Sequence, residues 1–145
     1  MAGLDEFKDH FVLLCEAGFI AINQADEDAA IKLFKAAEIL NPNSQLPRIG
    51  MGYLHFHKLE LKRAAVIFGS VLEADPTNDM ARTFLGMVLS LSPDMINEGE
   101  KILKEVAEKS QDGQVQNVAS TTMDFVNHFV KKSGASQPAA KQPKK

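Results

Sequence analysis

The amino-acid sequence predicts an all-α fold built from stacked pairs of helices. Glycine recurs at Gly18, Gly52 and Gly86, with thirty-four residues from each copy to the next. Ala, Leu, Glu, Lys and Met dominate the chain before residue 133, and alternating β-branched residues are almost missing, which favours helix over strand. Short polar segments separate the predicted helical runs. A fixed period of this length is typical of proteins that stack two-helix units.

Two copies of the repeat share four residue types at one spacing. They are Gly18, Ala30, Phe34 and Pro42 in the first copy and Gly52, Ala64, Phe68 and Pro76 in the second. The small residues are expected where paired helices come close, since a side chain there would push the helices apart. Phenylalanine fills the space between units, and proline ends each unit. The third copy keeps Gly86 but has Glu98, Ile102 and Ser110 at the other places, so it is predicted to be degenerate.

Local signals predict seven helices, with Asp26 and Ser44 as helix N-caps and Thr77 or Asn78 as another. Ser92 and Pro93 together predict the start of the sixth helix, as an N-cap followed by proline in the first turn. The predicted spans are about 4–23, 27–40, 46–58, 60–74, 79–91, 93–110 and 113–132. The seventh helix is amphipathic and is expected to close the stack with one apolar stripe, formed by Val115, Val118, Met123, Val126, Phe129 and Val130.

Composition limits both the domain organisation and the partners. Residues 1–132 are predicted to form one helical domain, and residues 133–145, made of Ser, Gly, Ala, Gln, Pro and Lys, a disordered tail. Five lysines lie in residues 131–145, so residues 1–130 hold 11 basic and 19 acidic side chains, a net charge of −8. An acidic body disfavours nucleic-acid binding, because phosphate contacts need clustered Lys and Arg.

Other classes of protein are disfavoured by what the chain lacks. No eighteen-residue stretch is free of charged residues, so no membrane span is expected, and residues 1–10 do not resemble a secretory signal. A single cysteine, Cys15, fits a reducing compartment, and we expect a cytoplasmic protein. The four histidines and Cys15 lack the spacing of a metal site, and no phosphate loop or catalytic constellation occurs. No enzyme, metal or cofactor is therefore expected.

The repeat resembles the tetratricopeptide repeat. That family has a large apolar residue before Leu-Gly, an aromatic residue three places later, then Ala-x3-Phe and then Pro. The second copy here has Met51-Gly52, His55, Ala64-x3-Phe68 and Pro76. The resemblance covers about residues 11–112. It implies a solenoid of three helix pairs followed by a C-terminal capping helix.

The resemblance also implies a concave groove lined by the first helix of each pair. The side chains expected to line it are Val12, Cys15, Phe19, Ile22 and Asn23, then Leu46, Ile49, Tyr53, Phe56 and His57, then Met80, Thr83, Met87, Ser90 and Leu91. Repeat proteins that grip the acidic tail of a heat-shock chaperone carry Lys, Asn and Arg on such faces. The residues here are mostly apolar, and they predict a binding surface for an amphipathic helix or an extended segment. The alternative occupants are this chain's own first or last helix, or a second copy in a homodimer.

Size, repeat number, apolar groove and acidic body together resemble the helical-repeat chaperones of bacterial type III secretion. The length of the chain and the lack of a long N-terminal dimerising extension favour the needle-subunit branch over the translocator branch. The resemblance implies that the groove holds the amphipathic helix of a polymerising subunit until export, together with a small co-chaperone. Two other classes stay open: a scaffold or assembly subunit outside secretion with a permanent partner, and an accessory factor or enzyme.

Overall fold

The computed structural model describes residues 8–131, and the secondary structure in that range is entirely helical. The helices are α1 (Lys8–Asn23), α2 (Glu27–Leu40), α3 (Leu46–His57), α4 (Leu61–Ala74), α5 (Asp79–Ser90), α6 (Ile96–Lys109) and α7 (Gly113–Phe125), and α7 continues through a π-helical turn at Val126–Val130. The all-α prediction is confirmed for these residues. The predicted tail and the first residues of the predicted first helix lie outside the described range.

Consecutive helices pack against each other along the whole described chain, which is the arrangement of a helical repeat. Helices α1, α3, α5 and α7 also contact one another in order and form one layer. Helices α2, α4 and α6 each lie between two members of that layer. The chain therefore forms three pairs, α1–α2, α3–α4 and α5–α6, and α7 follows them as the next helix of the first layer.

Glycine sets the distance between the helices of the first two pairs. A Cβ atom added at Gly18 would lie 2.7 Å from the ring of Phe34, and one added at Gly52 would lie 2.6 Å from the ring of Phe68. Both rings are buried, so neither can move aside unless its neighbours shift. Gly50 of α3 also lies against the Phe34 ring, from the side of the next pair. Each phenylalanine therefore fills the space that two first-layer helices leave open.

The third pair uses the same contacts, but the residues on its second helix lie one place further along the chain. Gly86 packs against Leu103, which is buried, while Glu98 is exposed and Ile102 is only half-buried. Gly99 stands where the first two pairs have alanine. The third copy therefore differs from the first two in residue type, and its helices pack through Leu103 and Gly99 after a one-residue shift.

The shift has its origin in the turn before α6. Ala25 and Leu59 end the first helices of their pairs with φ values of 59° and 60°, in the left-handed region. Residue 93, thirty-four places after Leu59, is proline, whose ring holds φ near −65°. The third turn therefore cannot repeat the first two. It has five residues between the two helices, where the first two turns have three, and α6 begins at Ile96, thirty-five residues after the start of α4.

The prediction that the sixth helix starts at Ser92 and Pro93 is wrong, because both residues belong to the turn before α6. The Ser92 hydroxyl donates instead to the carbonyl oxygen of Val88 at 3.0 Å, and the amide of Met95 donates to the Ser92 carbonyl at 2.9 Å. Two other predicted caps have the expected geometry. Asp26 accepts from an amide in the first turn of α2 and Asn78 from one in the first turn of α5, both at 3.0 Å.

Candidate functional site

One row of side chains crosses the first layer at the same place on three successive helices. Phe19 of α1, Tyr53 of α3 and Met87 of α5 lie thirty-four residues apart, and all three are half-buried. Phe19 and Tyr53 pack at the edge of the core that contains Phe34, and Met87 packs at the edge of the core that contains Leu103. Each of the three side chains keeps part of its surface accessible on the open side of the first layer, which is the side away from α2, α4 and α6.

Tyr53 is at the centre of this row and ties three helices together. Its ring centroid lies 5.5 Å from those of Phe19 and Phe84, and 5.6 Å from that of His57. The rings are tilted against one another by 53° to 60°, which suits the negative faces and positive edges of aromatic rings. The Tyr53 hydroxyl donates to Asn23 Oδ1 at 3.1 Å. The Tyr53 side chain is therefore held in place by contacts with residues of α1, α3 and α5.

The row opens into a cleft between α3, α5 and α7. The cleft has a volume of about 310 Å³, and its lining residues are Phe56, Met87, Leu91, Thr121, Thr122 and Phe125. The Thr122 hydroxyl donates to the Val118 carbonyl at 2.8 Å, so its one hydrogen-bond donor is used within α7. Among residues 8–131 no charged side chain lines the cleft. Such a site can take apolar side chains of a ligand and has no group that would attract a charge.

Helix α7 contributes to this surface while it ends the described stack. It packs against α5 and α6, and Lys131 forms an ion pair with Glu100 of α6 at 2.7 Å. The single apolar stripe predicted for α7 is not all buried: Val126 is buried and Val115, Met123 and Val130 are half-buried, whereas Val118 and Phe129 are exposed. Phe125, which was not in the predicted stripe, is about half exposed and lines the cleft. The helix therefore extends the first layer and does not fill the groove.

The residues predicted to line the groove fall into three groups. The buried ones are Cys15, Ile22, Ile49, Thr83 and Ser90; the half-buried ones are Phe19, Leu46, Tyr53, Phe56, Met87 and Leu91; the exposed ones are Val12, Asn23, His57 and Met80. The buried group lies on the same helix face as the repeat glycines, three places before or four places after them. Cys15, Ile22 and Ile49 pack in core clusters with residues of the second helix of their own pair. These residues have too little exposed surface to contact a partner.

Some residues of the surface are not among those predicted from the sequence. Phe84 stacks on Phe68 with centroids 5.4 Å apart, and it stands thirty-four residues after Gly50. Phe125 and the two threonines of the cleft lie on α7, beyond the part of the chain that carries the repeat pattern. The sequence gives little indication that these α7 residues line a surface. The one pattern that does is the apolar pair Val118 and Phe125, which lie seven residues apart and so share a face of the helix.

The titratable groups with shifted pKa values lie away from the row. Burial raises the pKa of the Cys15 thiol, so this side chain acts as a small apolar residue of the α1–α2 core. At the turn between α3 and α4, His55 Nδ1 donates to Glu60 Oε2 at 2.7 Å and lowers the pKa of that carboxyl. Lys58 bonds Glu60 and also Glu27, whose hydrogen bond raises the pKa of Lys58.

Residues 8–131 carry the signs of neither a metal centre nor a membrane span. No group of three or more His, Cys, Asp or Glu side chains in that range could hold a metal ion. No helix among the same residues is long and apolar enough to cross a membrane.

Comparison with known proteins does not assign the chain to a family. No protein-family model matches it, and no curated protein matches it. The function is therefore inferred from the helix-pair stack and from the apolar surface on its first layer.

Proposed function

We propose that this chain is a tetratricopeptide-repeat chaperone that holds an amphipathic helix of another protein on the open side of its first layer. The assignment to this repeat class is supported by the thirty-four-residue period and by the glycine–phenylalanine contacts of the first two pairs. The one-residue shift in the third pair brings Leu103 into the same contact with Gly86. All three pairs thus share one packing scheme.

The chemistry of the groove carries the proposal. The row of Phe19, Tyr53 and Met87 leads into the cleft that Phe125 borders, and these side chains are partly accessible. A clamp for an acidic tail would place Lys, Asn and Arg along this row, and the row has none. A partner must therefore bring apolar side chains, and the apolar stripe of an amphipathic helix supplies them at regular spacing. Methionine and aromatic residues suit such contacts, because they are large and adapt to imperfect shapes.

The biological role proposed is that of a cytoplasmic chaperone for the needle subunit of a type III secretion system. A subunit that polymerises through an amphipathic helix needs that helix covered until export, and the groove would cover it. Burial of about 1,000 Å² or more suits a specific complex. Release for export requires a reversible complex, with a dissociation constant between about 1 μM and 1 nM, or about −8 to −12 kcal/mol.

The test measures binding of a synthetic peptide that carries the C-terminal helix of a candidate needle subunit encoded beside this gene. Calorimetry should give a one-to-one complex in the stated range. Replacing Tyr53 or Phe125 by Glu should weaken peptide binding about a hundredfold or more, because a carboxylate would enter an apolar binding surface. The control for Phe125→Glu is Val66→Glu on α4, since Val66 is exposed as Phe125 is but lies outside the row and the cleft. The affinity of this variant should equal that of the parent.

Two results would contradict the proposal. Equal affinity of the Tyr53→Glu, Phe125→Glu and Val66→Glu variants would place the peptide elsewhere on the protein. A complex that does not exchange its bound peptide with excess unlabelled peptide over hours would favour the second candidate function, a scaffold with a permanent partner. Circular dichroism of each variant shows whether its helices are intact.

A further inference from the structure

The row of Phe19, Tyr53 and Met87 contains one hydroxyl group, and that group has a partner on the neighbouring helix. The Tyr53 hydroxyl donates to Oδ1 of Asn23, the last residue of α1, at 3.1 Å. The side chains of Phe19 and Met87 have no hydrogen-bond donor. Asn23 is exposed and Tyr53 is half-buried, so water reaches the bond in the free protein. A helix bound over Tyr53 would therefore cover this bond.

The hydrogen bond contributes little to the stability of the folded chain. Water reaches both of its groups, so folding only exchanges their bonds with water for a bond with each other. The ring of Tyr53 is held by its neighbours, with its centroid 5.5 Å from those of Phe19 and Phe84 and 6.4 Å from that of Phe56. The neighbouring rings thus fix the place of the tyrosine, and Asn23 fixes the direction of its hydroxyl.

The next joint of the stack is formed without such a bond. His57 stands thirty-four residues after Asn23, and Met87 stands thirty-four residues after Tyr53. Met87 has no hydroxyl to donate, and yet α3 and α5 contact each other as α1 and α3 do. Packing of the first layer therefore does not require a hydrogen bond at this place.

Coverage by an apolar helix would make the same bond important. A hydroxyl that is removed from water without a protein partner is costly, because its hydrogen bonds to water are lost and none replaces them. Asn23 accepts the one hydrogen that the Tyr53 hydroxyl can donate. Apolar side chains can then cover Tyr53 without leaving a donor unpaired. In the absence of Asn23 they would cover a free donor.

We propose that Asn23 is a positioning residue that acts through Tyr53 and makes the centre of the row selective for apolar side chains. It does so by accepting the hydroxyl hydrogen and directing it towards α1, so that the partner meets the ring and not an unpaired donor. The inference rests on the proposed function, because it concerns the same surface. It adds a requirement on the partner: the side chain that covers Tyr53 is one without a hydrogen-bonding group.

A double-mutant cycle with the needle-subunit peptide tests this role by calorimetry. Asn23→Leu should weaken peptide binding about tenfold, because the Tyr53 hydroxyl is left without its acceptor. Tyr53→Phe should bind within about twofold of the parent, since the ring remains and the donor is gone. The double variant should bind at least as tightly as Tyr53→Phe, because no unpaired group remains. Asn97→Leu on α6 is the matched control, an exposed asparagine of the other layer, and should bind like the parent.

Two further measurements separate positioning from a structural role. Asn23→Leu should unfold at the same urea concentration as the parent, because the bond is accessible to water in the free protein. Tyr53 is the only tyrosine of the chain, which has no tryptophan, so its near-ultraviolet absorption reports on this one hydroxyl. In complex with a peptide free of Tyr and Trp, Asn23→Leu should absorb at shorter wavelength than the parent, as a phenol without an acceptor does.

Each outcome decides the inference. Parent affinity in Asn23→Leu overturns it, as does a double variant that binds as weakly as Asn23→Leu. A loss of stability in Asn23→Leu as large as its loss of affinity also overturns it, because the role is then structural. Peptide binding that Tyr53→Glu weakens but Asn23→Leu leaves unchanged overturns this inference alone. A parent that does not bind the peptide overturns the proposed function, and the inference falls with it.

Discussion

In the first two helix pairs a phenylalanine of the second helix packs on a glycine of the first, whereas in the third pair a leucine takes that place. The third pair has another difference at the same crossing. Ala30 and Ala64 of the first two pairs each carry a Cβ atom, and the corresponding residue of α6 is Gly99. The third pair therefore has smaller side chains on its second helix at both positions, and its helix backbones approach more closely.

The close approach in the third pair leaves no space at Gly99. A Cβ atom there would overlap the backbone nitrogen of Ser90 and lie 2.7 Å from the carbonyl oxygen of Gly86. At Gly52 the corresponding obstacle is the ring of Phe68. A ring can tilt slightly if its neighbours shift, but the backbone atoms of Gly86 and Ser90, at the C-terminal end of α5, move only if the helix itself moves. Similar repeat units can thus differ in how firmly they exclude a methyl group.

The largest expected effect comes from Gly99→Ala. Overpacking should lower the free energy of unfolding by about 2 to 3 kcal/mol, even though alanine has the higher helix propensity. Gly69→Ala is the matched control, since a Cβ there meets nothing within 4 Å. It should raise stability by about 0.5 to 1 kcal/mol. Urea unfolding of both variants measures the difference, and a Gly99→Ala protein as stable as the parent would contradict the close crossing.

A smaller effect distinguishes the turns of the pairs. Leu59→Gly should raise the free energy of unfolding by about 0.5 to 1 kcal/mol, because glycine adopts positive φ without strain. The same change at Pro93, where the turn does not use that conformation, should lower it by a similar amount, because glycine makes the unfolded chain more flexible. Thermal and urea unfolding provide the comparison. Changes of the same sign at both sites would show that the turns do not differ as described.

The smallest expected effect is electrostatic and belongs to the turn of the second pair. The hydrogen bond from His55, and then that from Lys58, lowers the pKa of Glu60 below its usual 4.5. A carboxyl with a depressed folded pKa stabilises the protein above its unfolded pKa, and this contribution is lost as pH falls through the folded pKa. The small stability difference between the parent and Glu60→Gln at pH 7 should therefore shrink below about pH 4.5. A difference that stays constant down to pH 3 would show that the carboxylate contributes nothing.

Local signals were sufficient for most of the helices. The structure places α2 at Glu27–Leu40 and α4 at Leu61–Ala74, within one residue of the spans predicted from caps and prolines. The same approach failed at α6. Ser92 and Pro93 form a good helix start by composition, but the left-handed residues of the other two turns are Ala25 and Leu59, which do not reveal a positive φ in the sequence.

The candidate site was predicted less well, for a reason that concerns helix geometry. Cys15 and Ile22 lie three places before and four places after Gly18, on the face where the second helix comes closest, and they are buried with it. Phe19 is rotated by about 100° from Gly18 and reaches the open side. The accessible positions therefore follow from the glycine once its contact is known, and the repeat alone left them mixed with core positions.

The sequence by itself determined that the chain is helical, that its helices pair, and which small and large residues meet within the first two pairs. These features depend on residue type and on spacing along one helix, which can be read without coordinates. Only the tertiary structure decided the register of α6, the two faces of α7 and the cleft that joins Phe56 to Phe125. Each of these depends on how closely separate helices approach, and that distance is set by side chains far apart in the chain.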